Sequence, residues 1–323
     1  DNQSTWDHLA LTIPMALNLG MSGIAITGPD TGGFTGGPSP ELFARWMQVG
    51  AFTPFFRIHS MVGSVDQEPW AFGPEVEAIS RMYLELRYRL LPYIYSAAWQ
   101  ASQTGLPIMR ALAFLYPEDE LTHSMDDEYL FGDSFLVAPV LVEGGRRRQV
   151  YLPEGQWLDF WTGERHEGQQ TISVDAPLDV LPLFVRGGSV VPFWPVQQYV
   201  GEKPVDELEL RVYRAPGEHS SWLYEDDGVR PDYERPKHHR VSWFVLAGDE
   251  RGMRLTREIF DGTFTPGYHP PARAGPGERA GERLAGGRRS ARADLGRVDA
   301  EPDAAAQGGG RLRAGGGLKH HSL

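Results

Sequence analysis

Gly23-Ile24-Ala25-Ile26-Thr27-Gly28-Pro29-Asp30-Thr31-Gly32-Gly33-Phe34-Thr35-Gly36-Gly37-Pro38-Ser39-Pro40 is the stretch that decides the fold class. Its apolar run over 23–28, closed by glycine at both ends, reads as a buried strand. The glycine-rich residues after it form a loop, and Ser39 followed by Pro40 marks a helix start, the serine as N-cap and the proline in the first turn. Strand, glycine loop and helix in succession predict an α/β layer or barrel.

The same rhythm extends to both sides. Upstream, Trp6, Leu9, Ile13, Ala16 and Leu17 recur at helical spacing behind Ser4 as N-cap with Asp7 three residues on, and Pro14 is expected to kink that helix. Downstream, residues 52–59 can form a second strand. Ile79, Met82, Leu86, Leu90, Ile94 and Trp99 then carry a long helix over about 74–103, bent at Pro92. These segments place the barrel portion at residues 1–105. From residue 106 the pattern changes to short β-like runs, for example 129–141, 148–152, 157–161 and 183–192, which predict a β-sandwich over 106–196. A further set at 207–213, 221–224, 241–246 and 253–260 predicts a second β domain over 197–265.

Composition narrows the functions. The 323 residues are 41% hydrophobic and carry a formal charge of −12. That composition suits a soluble globular protein, and the charge argues against nucleic acid or an anionic membrane as partner. Cysteine is absent, which excludes disulfides, thiolate metal sites and cysteine nucleophiles. The chain opens at Asp1 with the apolar period already running at Trp6, so it is expected to begin inside a fold, and a cytoplasmic location is taken as the default. In 266–323 glycine, alanine and arginine dominate, Tyr268 is the only aromatic residue, and ten basic residues face six acidic ones. This segment is expected to be a disordered basic tail or a stretch read out of frame after Pro266.

Several side chains invite a chemical reading. Asp30 sits at the end of the expected strand, where α/β barrels place functional groups, and Arg57 and His59 close the next one. An aspartate in a glycine-rich loop is more often a turn or cap residue, so its weight comes from that company. A carboxylate, a guanidinium and an imidazole around one cavity suit recognition of sugar hydroxyls. The arginines of the long helix, Arg81, Arg87 and Arg89, are expected to meet solvent or carboxylates. Trp157 and Trp161 are expected in a core rather than on a sugar platform. Glu225-Asp226-Asp227-Gly228 lacks the full spacing of a calcium loop and reads as a turn, and His320 and His321 are too few for a metal.

Asp1-Asn2-Gln3-Ser4-Thr5-Trp6, Gly28-Pro29-Asp30-Thr31-Gly32-Gly33-Phe34 and Glu41-Leu42-Phe43-Ala44-Arg45-Trp46-Met47-Gln48 resemble glycoside hydrolase family 31. Further motifs carry the resemblance through about residue 265: Phe55-Phe56-Arg57-Ile58-His59, Gln67-Glu68-Pro69-Trp70, Leu130-Phe131-Gly132-Asp133-Ser134, Val185-Arg186-Gly187-Gly188-Ser189 and Tyr224-Glu225-Asp226-Asp227-Gly228. The resemblance implies the C-terminal part of a (β/α)8 barrel followed by two β-sandwich domains, with no cofactor. It further implies a retaining α-glucosidase acting on α-glucoside oligosaccharides by two carboxylates. Asp1 aligns with the acid/base, His59 with a hydroxyl ligand, Asp30 and Arg57 with the subsite of the non-reducing sugar, and Phe34 with its aromatic wall. The family's nucleophilic aspartate lies on an earlier strand that this sequence does not contain, so the chain alone is expected to be inactive. A free α-amino group on Asp1 would also favour its carboxylate form, against what a general acid needs. Within the family, α-xylosidase and α-glucosyltransferase are the alternatives, and outside catalysis a carbohydrate-binding remnant. Association into a homo-oligomer is compatible with all of them.

Overall fold

Thr5, not Ser4, caps the first helix, its Oγ1 accepting the His8 N–H at 3.2 Å. That helix, α1 (Trp6–Met21), carries Pro14 inside it and turns Leu9, Ile13 and Leu17 inward. The computed structural model describes residues 2–249, 251–268, 292–298 and 310–314, the last two segments by their backbone alone. By its internal contacts the chain divides into two units, one holding the residues up to Arg89 with Ala97–Gly187, the other Leu90–Ser96 with the residues from Gly188 on.

In the first unit α1 is followed by β1 (Asp30–Thr31), α2 (Pro40–Ala51), β2 (Arg57–Ile58) and α3 (Pro74–Arg89). Ser39 caps α2 as the sequence predicts, accepting the Leu42 N–H at 3.2 Å with Pro40 at the start. Leu9 of α1 packs with Leu42, Trp46 and Val49 of α2, all at most 3% exposed. The long helix is two: α3 ends at Arg89 and α4 (Leu91–Thr104) starts with Pro92 in its first turn, where a missing N–H is harmless.

The expected strands are largely unformed. Residues 24–29 form no ladder and bend at Ile26, Ile24 and Ile26 being 51% and 61% exposed, and only β1 pairs, in parallel, with β2. A strand is held by the backbone groups of its neighbours. Here the first two N–H groups of the 23–28 run turn back onto the end of α1, Gly23 to the Gly20 carbonyl and Ile24 to that of Leu19, and its bond to the second strand segment runs from the Phe55 N–H to the Thr27 carbonyl at 3.0 Å. No sheet closes into a barrel among the described residues.

Next come β3 (Met109–Arg110), the single turn α5 (Leu112–Leu115), β4 (Tyr129–Phe131), β5 (Phe135–Val137), β6 (Arg147–Leu152), β7 (Gln156–Asp159), β8 (Arg165–Glu167), β9 (Gln170–Asp175) and β10 (Leu183–Arg186). They form a six-stranded sheet in the order β3-β4-β5-β10-β7-β8 and a β6-β9 pair. Leu130, Leu136, Trp157 and Phe184 of the large sheet meet Val150 and Leu152 of the pair, each fully buried, which makes this a sandwich. Trp157 is fully buried in its interior while Trp161 is only half-buried, their indole N–H groups donating to the carbonyls of Pro153 and Leu181.

The second unit holds β11 (Val190–Phe193), β12 (Leu208–Val212), β13 (Gly217–Asp226), β14 (His239–Asp249), β15 (Gly252–Gly262), β16 (Arg292–Val298) and β17 (Gly310–Ala314). One sheet runs β11-β12-β17, the other β13-β14-β15-β16. Val190, Leu208 and Leu210 face Leu223, Phe244, Leu246 and Leu255 across the core. Glu225-Asp226-Asp227-Gly228 ends β13 in a turn: Glu225 is bonded by Arg240, and Asp226 accepts from the hydroxyls of Tyr95 and Tyr224.

Two segments of the stretch 266–323 are strands, against the expectation from its composition: β16 pairs with β15 and β17 with β12. An added edge strand is held through its backbone groups, so it needs no apolar period of its own. The rest of the stretch after Tyr268, with His320 and His321, lies outside the described residues, and so does Asp1.

Candidate active site

The parallel register of β1 and β2 sets Asp30 opposite Arg57, and their side chains join across it, Arg57 Nε donating to Asp30 Oδ1 at 2.7 Å. The carboxylate is 13% exposed and the guanidinium 49%. From the same two segments, Phe34 and His59 come together with ring centroids 5.3 Å apart and planes at 33°. The Met61 N–H, two residues past His59, donates to the Phe34 carbonyl at 2.8 Å. Four of the five residues singled out by sequence therefore form two contacting pairs on neighbouring segments. Asp1 lies outside the described residues.

The loop that carries Asp30 and Phe34 is pinned from several directions. The Gly33 N–H closes a turn onto the Asp30 carbonyl at 3.0 Å. Gly33 has φ of +92°, and a Cβ there would come within 2.5 Å of the Ser4 nitrogen, so only glycine lets this loop lie against residues 3–4. Asn2 reaches the loop with both ends of its carboxamide: Nδ2 donates to the Asp30 carbonyl at 2.9 Å and Oδ1 accepts the Phe34 N–H at 3.0 Å. From the other side Gln67, 3% exposed, donates its Nε2 to the Gly33 carbonyl at 3.1 Å.

Behind β2 stands Arg87 of α3. Its guanidinium donates to the carbonyls of Ala51, Thr53 and Pro54 at 2.8, 2.7 and 3.0 Å and lies 5.4 Å from the Phe56 ring. Burial lowers its pKa to about 10, which leaves it cationic at neutral pH. Sequence reasoning placed Arg87 against solvent or carboxylates. It instead satisfies the carbonyls of the segment that leads to Arg57 and His59. The only signal for this is its place one residue after buried Leu86 on a helix with an apolar period.

A carboxylate and a guanidinium beside an aromatic ring can grip a neutral polyhydroxyl ligand, whose hydroxyls donate to one and accept from the other. Among the described residues no group of His, Asp and Glu is placed to hold a metal ion, and no helix is long and apolar enough to cross a membrane.

Comparison with known proteins matches residues 1–97 to the glycosyl hydrolases family 31 TIM-barrel domain and residues 105–191 to the glycosyl hydrolase family 31 C-terminal domain. An α-glucosidase 2 of Bacillus thermoamyloliquefaciens is 42% identical over 269 residues, covering 83% of this chain and 34% of the relative. An α-xylosidase of Saccharolobus solfataricus is 39% identical over 258 residues, 78% of this chain and 34% of the relative. Among solved structures, a Flavobacterium johnsoniae dextranase complexed with glucose superposes with a TM-score of 0.74 at 39% identity, over 83% of this chain and 33% of that one. The chain thus spans about a third of the length of these relatives.

Proposed function

Because the chain belongs to glycosyl hydrolase family 31, we propose that it supplies the sugar-gripping side and the acid/base of a retaining α-glucosidase that releases terminal glucose from α-linked oligosaccharides. The observation that carries the reading is the Asp30 to Arg57 ion pair beside the Phe34 to His59 contact, on the parallel strands and the loops that follow them. In this reading residues 1–105 are barrel and 106–196 and 197–265 the proximal and distal β domains, with β16 and β17 from the stretch 266–323 added to the sheets of the second unit.

The mechanism follows from the residue types. Asp30 accepts from a hydroxyl of the terminal sugar, Arg57 and His59 donate to its neighbours, and Phe34 walls the ring. A carboxylate nucleophile, from a barrel segment outside these 323 residues, attacks the anomeric carbon as Asp1 protonates the departing oxygen. Asp1 then takes a proton from water, which attacks the same carbon from the face the leaving group vacated, so the anomeric configuration is retained. The two carboxyl groups must stand about 5 Å apart, so the chain without its nucleophile turns nothing over.

The test is to produce the chain together with that upstream barrel segment and follow maltose by NMR. Retained α-glucose as first product, with Asp1→Asn slowing the reaction by about 10² to 10⁴-fold, supports the reading. β-Glucose as first product, or an Asp1→Asn variant of full activity, overturns it. The similarity to an α-xylosidase at 39% identity keeps a second reading open. Faster cleavage of isoprimeverose than of maltose would select it.

A further inference from the structure

We infer that Asn2 is a positioning residue of the catalytic site, fixing the register between the residue that precedes it, Asp1, and the loop that grips the sugar. This deepens the function proposed above and rests on it. Asn2 spans the turn that carries Asp30 and Phe34, donating Nδ2–H to the carbonyl of Asp30 at 2.9 Å and accepting the N–H of Phe34 on Oδ1 at 3.0 Å. One partner is an obligate acceptor and the other an obligate donor, so the carboxamide has only one satisfied orientation. Its backbone is tied to the same loop: the carbonyl of Asn2 accepts from Phe34 and Thr35 at 3.0 and 3.2 Å, and the Ser4 N–H donates to the Thr35 carbonyl at 2.8 Å. Residues 2–4 thus lie along 33–35 as a short parallel bridge with Gln3 opposite Thr35.

The backbone bonds between the two segments pair Gln3 with Thr35 at one end of the turn, where the single Phe34 N–H is shared between the Asn2 carbonyl and Asn2 Oδ1, and none of them reaches Asp30. The side chain adds a constraint that they do not, because it engages the loop at both ends of the Asp30-to-Phe34 turn. Sliding one segment along the other breaks both side-chain bonds at once. The sugar-gripping loop and the backbone of residue 2, to which Asp1 is covalently joined, are therefore held in one frame through Asn2. A displacement of about 1 Å between groups that act together lowers a rate by roughly 10²-fold.

Aspartate is the informative replacement. Asn2→Asp has the same shape and still accepts the Phe34 N–H, but it turns a second oxygen toward the Asp30 carbonyl and repels it. In the complete enzyme we expect Asn2→Asp to lower kcat/KM on maltose by about 10- to 100-fold. The loss should be at least tenfold smaller on 4-nitrophenyl α-glucoside, whose leaving group departs with little help from an acid. Asn2→Ala, which removes both bonds without adding charge, should show the same split between substrates, and serves if the aspartate variant does not fold.

A purely structural role moves the melting temperature and the active fraction, and lowers both substrates alike. Equal losses on the two substrates, or activity within twofold of wild type on maltose, overturn the positioning role. A wild-type enzyme that cleaves neither substrate overturns the glucosidase reading and this inference with it. An active wild type with an indifferent Asn2→Asp overturns this inference alone.

Discussion

The Asp30 to Arg57 pair is half open to water, and an ion pair so exposed adds only about 0–1 kcal/mol to stability. In the function proposed above, its value is to a ligand. Arg57→Met is therefore expected to leave the melting temperature of the complete enzyme nearly unchanged and to lower kcat/KM on maltose by roughly 10- to 100-fold, the loss of a charge-assisted hydrogen bond. Calorimetry and steady-state kinetics on one preparation check it, and an unaltered kcat/KM sinks it. Glu128 presents the opposite case. It is 2% exposed, its Oε1 accepts the Tyr151 N–H at 3.1 Å, and its Oε2 has no partner among the described residues. Burial raises its pKa from 4.5 to about 8, with nearby Arg148 working against the shift. The folded state then binds a proton that the unfolded state has lost, so stability falls as pH rises from about 4.5 to about 8 and levels off beyond. Glu128→Gln should flatten that slope and melt higher than wild type at pH 8.5, which thermal scans across pH would show. A parallel pH dependence in the variant would rule the residue out. At this scale the meeting of Asp30 with Arg57 was legible from their places in successive apolar segments of an α/β pattern, although each opens a two-residue strand rather than closing a long one. Gln67 and Arg87 were not, since their partners are main-chain carbonyls some 34 residues away, which leave no pattern in side-chain order.

Elements with an internal period were readable and those that depend on neighbours were not. The helices α1, α2, α3 and α4 follow from apolar spacing and from caps written in the local sequence, Ser39-Pro40 above all. The run over 23–28 has the composition of a barrel strand, but composition supplies no partner, and Ile24 and Ile26 remain exposed. The strands β16 and β17 reverse the case, since pairing with β15 and β12 supplies what their own residues do not announce. The glycine loop is an element whose shape is forced. Gly33→Ala would set a Cβ against backbone atoms of Gln3 and Ser4, which cannot rotate away, at a φ of +92°. We expect it to cost about 1–3 kcal/mol and to lower activity with it. Gly37→Ala meets only side-chain carbons of Val65, the nearest at 3.0 Å, and should cost less. Denaturant unfolding of both variants decides, and equal losses would mean that the loop is free to move.

Over the whole molecule, apolar side chains stand open on segments that precede the site. Leu11 and Met15, one turn apart on α1, are 50% and 61% exposed, and Ile24 and Ile26 are exposed to the same degree. Apolar area of this kind is normally covered. The 323-residue chain on its own is expected to self-associate at tens of micromolar, as read by sedimentation velocity. A single monomeric boundary over that range would contradict the expectation. The division into units has a further consequence, for synthesis. Leu90–Ser96 groups with residues beyond 187, and the Ser96 hydroxyl accepts the Tyr224 N–H at 2.9 Å across 128 residues of chain. At about 5–20 residues per second a ribosome needs roughly 6–25 s to deliver the second partner after the first. For that interval Leu90–Ser96 has emerged while the sheet it belongs with is still untranslated. The later unit cannot be completed by any nascent chain shorter than about residue 224, nor lifted out of the gene as one uninterrupted reading frame.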